Sequence, residues 1–173
     1  MKVIGSLLIV MALLAVVAGC APGPTEIRDW YDLHAVRNDL GGSYILMNDL
    51  DSASAGYIEL ASETANEGRG WEPIGTPDDG FTGSFNGQGY DIRDLFINRP
   101  DEDYVGLFSH ISWTRYIDNV GVVENVRLVN ADVIGSAEVG SLVGHNAGSV
   151  MFSKYLNIQV SPFTSIRVNM EIF

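Results

Sequence analysis

The chain has 173 residues, of which 46% are hydrophobic, 18% are charged and 19 are glycine. Ten Lys and Arg residues against 22 Asp and Glu residues give a net charge of −12, which argues against binding nucleic acid through phosphate neutralisation. A single Cys excludes an intramolecular disulfide framework and a Cys-rich metal site. The low charged fraction and the large apolar fraction indicate a folded protein rather than a disordered one.

The N-terminal segment has the pattern of an export signal. Lys2 precedes an almost unbroken apolar run over residues 3–17, which is shorter than the roughly 20 residues of a membrane-spanning helix. The small residues 18–19 then stand directly before Cys20, the only Cys of the chain. This pattern resembles the lipobox of prokaryotic lipoproteins, in which the Cys becomes the first residue of the mature protein and carries lipid.

The lipobox resemblance predicts a location as well as a modification. It implies a signal peptide over residues 1–19, lipidation at Cys20, and a Pro- and Gly-containing tether over residues 20–24. The protein would then be held in the cell envelope by its lipid, on the outer side of the membrane. Ordinary secretory cleavage near the same residues, with release of a soluble product, is the alternative.

Residues 25–42 are predicted to form an N-terminal capping helix. Thr25 is the expected N-cap, and the glycine pair 41–42 is expected to end the helix. The pattern predicts that Trp30 packs the helix over the first coil and that His34 lies on its polar, solvent-facing side. The apolar residues recur at intervals of three and four, as one helical stripe requires: Ile27, Trp30, Leu33, Val36 and Leu40.

Residues 43–150 alternate short apolar strands with glycine-containing turns, apart from a predicted surface loop over residues 51–70. The order of residues repeats: positions 123–128 resemble 92–97 after 31 residues, and 139–142 resemble 105–108 after 34. A recurrence of 20–50 residues is typical of stacked architectures. We therefore predict a mainly β fold, a short right-handed parallel β-helix, with Val, Ile and Leu facing inward. Asparagines are predicted to stack at its corners: Asn98, Asn119, Asn125, Asn130 and Asn146.

One string within these repeats resembles a known motif. Residues 139–146 are similar to the GLUG motif, a Gly-Leu-Val/Phe-Gly core followed by x-Asn, and residues 105–108 are a shorter copy, although Ser109 and Ser141 depart from it. The resemblance extends over residues 28–150. It implies a right-handed β-helix and interaction at the cell surface, as in adhesin-like bacterial and archaeal proteins, with no catalytic residues. The motif positions are Val105, Gly106, Leu107, Phe108, Val139, Gly140, Leu142, Val143, Gly144 and Asn146.

Residues 151–173 differ from the repeats because they are apolar and lack glycine. Two interpretations compete. The segment is either a last coil that closes the stack or the product of a truncated or shifted reading frame, and we favour truncation because no polar cap follows the strands.

No catalytic machinery is evident in the sequence. The three histidines (His34, His110 and His145) form no HExxH pattern, and no GxSxG string occurs. The acidic turns lack EF-hand spacing, so we predict no metal and no cofactor. The adjacent residues Asp91, Arg93 and Asp94 are not expected to face one groove, which weakens but does not close the case for a carbohydrate-active enzyme.

Aromatic residues divide into core and surface candidates. Tyr104, Trp113 and Tyr116 flank turns and are candidate surface contacts for a glycan or a protein. The predicted function is a non-catalytic cell-surface lipoprotein for adhesion or for binding a glycan or protein. The alternatives are a small carbohydrate-active β-helix enzyme and a truncated remnant of a larger repeat adhesin. The aromatics predicted to fill the core are Trp71, Phe81, Phe85, Phe96 and Phe108.

Overall fold

The computed structural model describes residues 23–112, 120–151, 153–156, 158–162 and 166–168. The predicted mainly β class is confirmed, since the described chain consists of short strands and two short α-helices, α1 (Trp30–Ala35) and α2 (Tyr57–Leu60). None of the helices in these ranges is long and apolar enough to cross a membrane. The strands are β1 Thr25–Ile27, β2 Ser43–Leu46, β3 Ser84–Asn86, β4 Asp91–Arg93, β5 Phe96–Asn98, β6 Phe108–Ile111, β7 Val122–Glu124, β8 Arg127–Val129, β9 Asp132–Gly135, β10 Val143–Asn146, β11 Ser149–Met151, β12 Lys154–Leu156, β13 Ile158–Pro162 and β14 Ile166–Val168.

The strands form four sheets, within which neighbours are parallel except for the antiparallel pair β13 and β14. Sheet I has the order β1-β2-β3-β7-β11, sheet II has β4-β8-β12, sheet III has β5-β9-β13-β14 and sheet IV has β6-β10. The chain visits sheets I to IV in the same order through β3–β6 and again through β7–β10. We call these two passes row 2 and row 3. Row 1 comprises residues 43–81, and row 4 comprises β11 to β13, which extend sheets I, II and III.

The pairing register corrects one of the predicted repeats. Ile92 pairs with Leu128, and Phe85 pairs with Val123, so the alignment of residues 92–97 with 123–128 is wrong by one strand. Each three-residue strand has an apolar residue facing inward between two outward residues, and strands of different sheets therefore look alike in sequence. The predicted equivalence of Val105 and Val139 is confirmed by their parallel bridge.

Two of the predicted corner asparagines do occupy corners between strands. Asn125 and Asn130 have φ values of 54° and 55°, in the left-handed region that Asn tolerates. Each donates its side-chain N–H to the row below, Asn125 to Asn86 Oδ1 at 3.3 Å and Asn130 to Asp94 Oδ1 at 2.6 Å. These bonds join rows 2 and 3.

The remaining corner predictions have different outcomes. Asn98 and Asn146 lie at the ends of β5 and β10 rather than at left-handed corners, so their assignment is wrong. Asn119 lies outside the described residues.

The inward residues of all rows form one apolar core. Trp71, Phe81, Phe85 and Phe108 are completely buried, as predicted. Ring centroids of Phe81 and Phe85 lie 5.1 Å and 5.6 Å from that of Phe108, distances at which aromatic pairs attract. Phe96 is the exception, because its side chain is only partly buried and faces outward from sheet III.

The N-terminal helix is shorter than predicted and begins later. The first three residues of the predicted helix are β1, which pairs in parallel with β2 and places Ile27 in the core. Asp29 is the N-cap in place of Thr25, since its Oδ1 accepts the Asp32 N–H at 2.9 Å. Pairing with a neighbouring strand satisfies the backbone groups of residues 25–27, and this long-range bonding overrides the local helical pattern.

The helical side chains cover the core from the side of row 1. Trp30 is fully buried, as predicted, and its ring lies 5.7 Å from Trp71. His34 is only partly exposed, in contrast to its predicted surface position, because its ring meets the edge of Trp71 at 6.1 Å. Burial, together with the charge of Arg37, lowers the pKa of the His34 imidazole.

The predicted surface loop over residues 51–70 contains α2 and a 3-10 turn, Ala65–Gly68. Its backbone bonds to sheet III, where the N–H of Phe96 donates to the Ala61 carbonyl at 3.1 Å and the N–H of Asn98 donates to the Arg69 carbonyl at 2.9 Å. The segment therefore occupies the position in row 1 that a strand occupies in the later rows. The other domain boundaries, including that of the tail, stay predictions.

Candidate functional site

A cavity of about 480 Å³ lies where the 51–70 segment passes the corner between sheets II and III. This volume is within the usual range of small-ligand sites. Three stretches of the chain, far apart in sequence, contribute its walls. The lining residues are Ser52, Tyr57, Glu63, Asp94, Leu95, Phe96, Asn130, Ala131 and Asp132.

The floor of the cavity is a pair of equivalent corner residues. Asp94 in row 2 and Asn130 in row 3 both adopt positive φ, 58° and 55°, which short polar side chains tolerate. Asn130 donates to Asp94 Oδ1, and Tyr57 donates its O–H to the Asp94 carbonyl oxygen at 2.9 Å. The corner is therefore tied both to the next row and to α2, and its polar groups are held in fixed positions.

Asp132 is the lining carboxyl with the most perturbed environment. It begins β9, beside Phe96 of β5, and its Oδ1 is buried without a hydrogen-bond partner among the described residues. Burial raises the pKa of this carboxyl, and the nearby negative charge of Glu63 raises it further. A carboxyl with a raised pKa in a concave site is typical of functional sites.

The cavity carries negative charge without a compensating base. Among the described residues that line it, three are acidic (Glu63, Asp94 and Asp132) and none is Lys or Arg. Among the residues that the structure describes, no three His, Cys, Asp or Glu side chains are arranged to hold a metal ion. The lining therefore offers mainly hydrogen-bond acceptors, which suit a ligand rich in hydroxyl donors and repel an anion.

We expect Asp132→Asn to raise the melting temperature at pH 7.5 and to raise it less at pH 3, below the ordinary Asp pKa of 3.8. A carboxyl whose pKa is raised by folding stabilises the fold while it is protonated, and this contribution is lost as the pH rises through the folded-state pKa. Asn remains neutral at both pH values and avoids the loss. Thermal unfolding followed by circular dichroism measures the effect, with the exposed Asp78→Asn as the matched control. A gain that is as large at pH 3 as at pH 7.5 would contradict the assignment.

A second polar cluster lies on sheet IV. His110 and His145 are register partners in β6 and β10, with ring centroids 4.8 Å apart. Glu138 Oε2 lies 2.5 Å from His145 Nδ1, and the Tyr104 ring packs against His145 at 5.9 Å. The sequence analysis found no HExxH pattern among the histidines and did not predict that these two meet. The Val105–Val139 repeat, carried five or six residues further, would have placed them together.

The motif residues of the sequence analysis are structural in this fold. Most of their apolar side chains belong to the core or pack against it. Two of the three motif glycines lie where rows touch: a Cβ on Gly106 would be 2.4 Å from the Gly140 carbonyl oxygen, and one on Gly144 would be 2.4 Å from the backbone of Tyr104, whereas one on Gly140 would meet Val143 of its own row at 2.2 Å. The motif therefore specifies close stacking of rows, and Asn146 is its exposed end.

Of the three candidate surface contacts, Tyr104 alone lies within the described residues. Tyr104 is half-buried against His145, which reduces the ring area it offers to a partner. Trp113, Tyr116 and the lipidation candidate Cys20 lie outside the described residues.

Asp91 and Asp94 serve separate purposes, as the sequence analysis expected. The Asp91 side chain is buried on sheet II, where it forms ion pairs with Arg93 and with Arg127, whose Nη1 lies 3.0 Å from Oδ1. This last contact has the distance of an ion pair without the alignment of a hydrogen bond. Asp94 lies at the next corner and lines the cavity.

The sequence analysis did not predict the cavity, because Glu63 and Asp132 show no shared pattern.

The chain is similar to parts of two much longer proteins. It is 38% identical over 138 residues to halomucin of Haloquadratum walsbyi, a match that covers 76% of this chain and 1% of halomucin. It is 35% identical over 134 residues to a Gly-rich membrane protein of Evansella cellulosilytica, covering 76% of this chain and 14% of that protein. No family model and no solved structure matches the chain. Relatives with these names indicate association with the membrane or the cell surface.

Proposed function

We propose that the protein is a non-catalytic module of the cell surface, built as a short right-handed parallel β-helix that presents its outer corners to a ligand. The observation that carries the proposal is the repeated order of strands, in which rows 2 and 3 place four successive strands in the same four parallel sheets. A stack of this kind buries apolar residues between rows and leaves an extended outer surface for binding.

Two further observations support the surface assignment. Gly106 and Gly144 at the motif positions are required by the contact between rows, which is consistent with one repeated unit of the GLUG type. The similarity to a Gly-rich membrane protein and to halomucin supports a place in the cell envelope.

The proposal includes a lipid anchor at Cys20. The first strand begins at Thr25, so only a few residues separate the predicted lipid from the folded part. We expect Cys20→Ser to abolish incorporation of labelled palmitate in a bacterial host and to move the protein from the membrane fraction to the soluble fraction. Pro22→Ala, which keeps the Cys, is the control. Unchanged labelling or unchanged membrane association of the Cys20→Ser variant would contradict the anchor.

Surface display is tested on intact cells. Protease added to the outside should degrade the wild-type protein while a cytoplasmic marker survives, because the fold is expected to face outward from its anchor. Protection from protease in intact cells, with degradation after lysis, would contradict the outward-facing location.

A second candidate function is carbohydrate cleavage, and the cavity is the observation that favours it. Glycosidases pair a protonated carboxyl with an ionised one, and Asp132 has a raised pKa beside the charge of Glu63. Turnover of an oligosaccharide by the wild-type protein, lost in Asp132→Asn, would support this candidate over the non-catalytic one.

A further inference from the structure

We propose that the cavity at the corner of sheets II and III binds a neutral saccharide, and that this is the ligand class of the surface module. The inference rests on the proposed function and deepens it, because it assigns the binding site to Glu63, Asp94, Asn130 and Asp132. The lipid anchor and the saccharide site lie in different parts of the chain and can fail independently.

The shape of the cavity is the first argument. Its volume of about 480 Å³ suits a small ligand, and its walls come from three separate stretches of the chain. Asp94 and Asn130 are bonded to each other across two rows, and Tyr57 fixes α2 to the same corner. A site whose polar groups are already positioned loses little conformational entropy when a ligand binds.

The unsatisfied chemistry of the cavity is the second argument. Asp132 lines the cavity, and its enclosed Oδ1 accepts no hydrogen bond from the described residues, so a turn of the carboxyl toward the cavity would give this oxygen a ligand hydroxyl as partner. The Glu63 side chain, on the 51–70 segment, is exposed. Carboxylate oxygens accept hydrogen bonds from hydroxyl groups, which a saccharide presents in number.

The aromatic lining is the third argument. Tyr57 and the outward-facing Phe96 both border the cavity. Aromatic side chains combine a large apolar face with, in Tyr, a polar tip, so they can pack against the C–H face of a sugar ring while the polar groups bind its hydroxyls.

The charge of the lining restricts the ligand further. With three acidic and no basic side chains in the part of the lining that the structure describes, in a chain of net charge −12, a uronic acid or a phosphate would meet like charge at close range. A metal ion is not the expected occupant either, because no three acidic or His side chains in the described ranges converge on one point. A neutral, hydroxyl-rich ligand satisfies both conditions.

Isothermal titration calorimetry of the purified protein tests the inference with four probes: cellohexaose, mannohexaose, the hexamer of N-acetylglucosamine, and hexagalacturonate. We expect at least one neutral hexasaccharide to bind and hexagalacturonate not to bind. Glu63→Gln and Asp132→Asn should each weaken binding about tenfold, the effect of losing one hydrogen bond to a charged group. Glu67→Gln is the matched control, since Glu67 lies four residues from Glu63 but does not line the cavity.

Each result decides the inference. Binding that is lost in the two cavity variants and kept in Glu67→Gln supports it, and circular dichroism of each variant verifies the fold. Absence of binding by every neutral probe, binding of hexagalacturonate, or equal affinity in Glu63→Gln and wild type would overturn it. If the saccharide inference fails, the palmitate-labelling test of Cys20 is unaffected. Shortened products in the titration cell, detected by mass spectrometry, would support the saccharide site and overturn the non-catalytic function.

Discussion

Replacing Trp71 by alanine is expected to lower the free energy of unfolding by about 3–5 kcal/mol. The Trp71 side chain is completely buried, and its ring lies 5.7 Å from Trp30 of α1. Its Nε1–H donates to the Leu107 carbonyl oxygen at 3.1 Å, which joins row 1 to the segment before β6. The substitution removes both the packing and this hydrogen bond, while the Leu107 carbonyl oxygen keeps the bond from the Ile74 N–H. Urea denaturation followed by circular dichroism measures the loss.

Two comparison variants separate the contributions to this loss. Trp71→Phe retains an aromatic ring without the N–H donor and should cost less than Trp71→Ala. Tyr90→Ala removes an aromatic side chain that is 38% exposed and should change stability by less than about 1 kcal/mol. A loss below 1 kcal/mol for Trp71→Ala would show that the 51–70 segment and α1 do not depend on this residue.

The second large effect is expected at a motif glycine. Gly106→Ala should destabilise the protein by about 3 kcal/mol, near the upper end of the usual range for overpacking. The new Cβ would lie 2.4 Å from the Gly140 carbonyl oxygen, a backbone atom of the next row, held close because the Gly140 N–H donates to the Val105 carbonyl oxygen at 2.9 Å. Urea denaturation again provides the measurement.

Gly41→Ala is the matched control for the motif glycine. Its nearest neighbours would be side-chain atoms at 3.7 Å and 3.8 Å, an ordinary contact distance, so a change of at most about 0.5 kcal/mol is expected. If Gly106→Ala were as stable as Gly41→Ala, the motif would not serve row contact, and its glycines would be available for another role.

These two effects explain how the fold makes a binding surface. Core aromatics and row-contact glycines hold the strands in register, and the register places equivalent corners above one another. Asp94 and Asn130 meet for this reason alone. The cavity is thus a product of stacking, and variants that disturb the register are expected to lose saccharide binding together with stability.

The N-terminal region shows how local pattern and long-range pairing compete. The apolar stripe of residues 25–40 was a good guide to burial, since Ile27, Trp30 and Leu33 are all in the core. It was a poor guide to the start of the helix, because β1 bonds to a strand that follows 16 residues after it ends. A local helical pattern contains no information about a strand partner that is distant in the chain.

The sequence by itself predicted short strands with inward-facing side chains, because alternating apolar residues and turn-forming Asn and Gly are patterns within a few residues. It also predicted parallel stacking, because the 34-residue recurrence is visible from one repeat. The choice of partner strands, and with it the meeting of Glu63, Asp94 and Asp132, required the folded chain. Loops of unequal length shift the register between rows, and strands with the same apolar pattern can pair in several ways. The energy of the whole stack selects among these pairings.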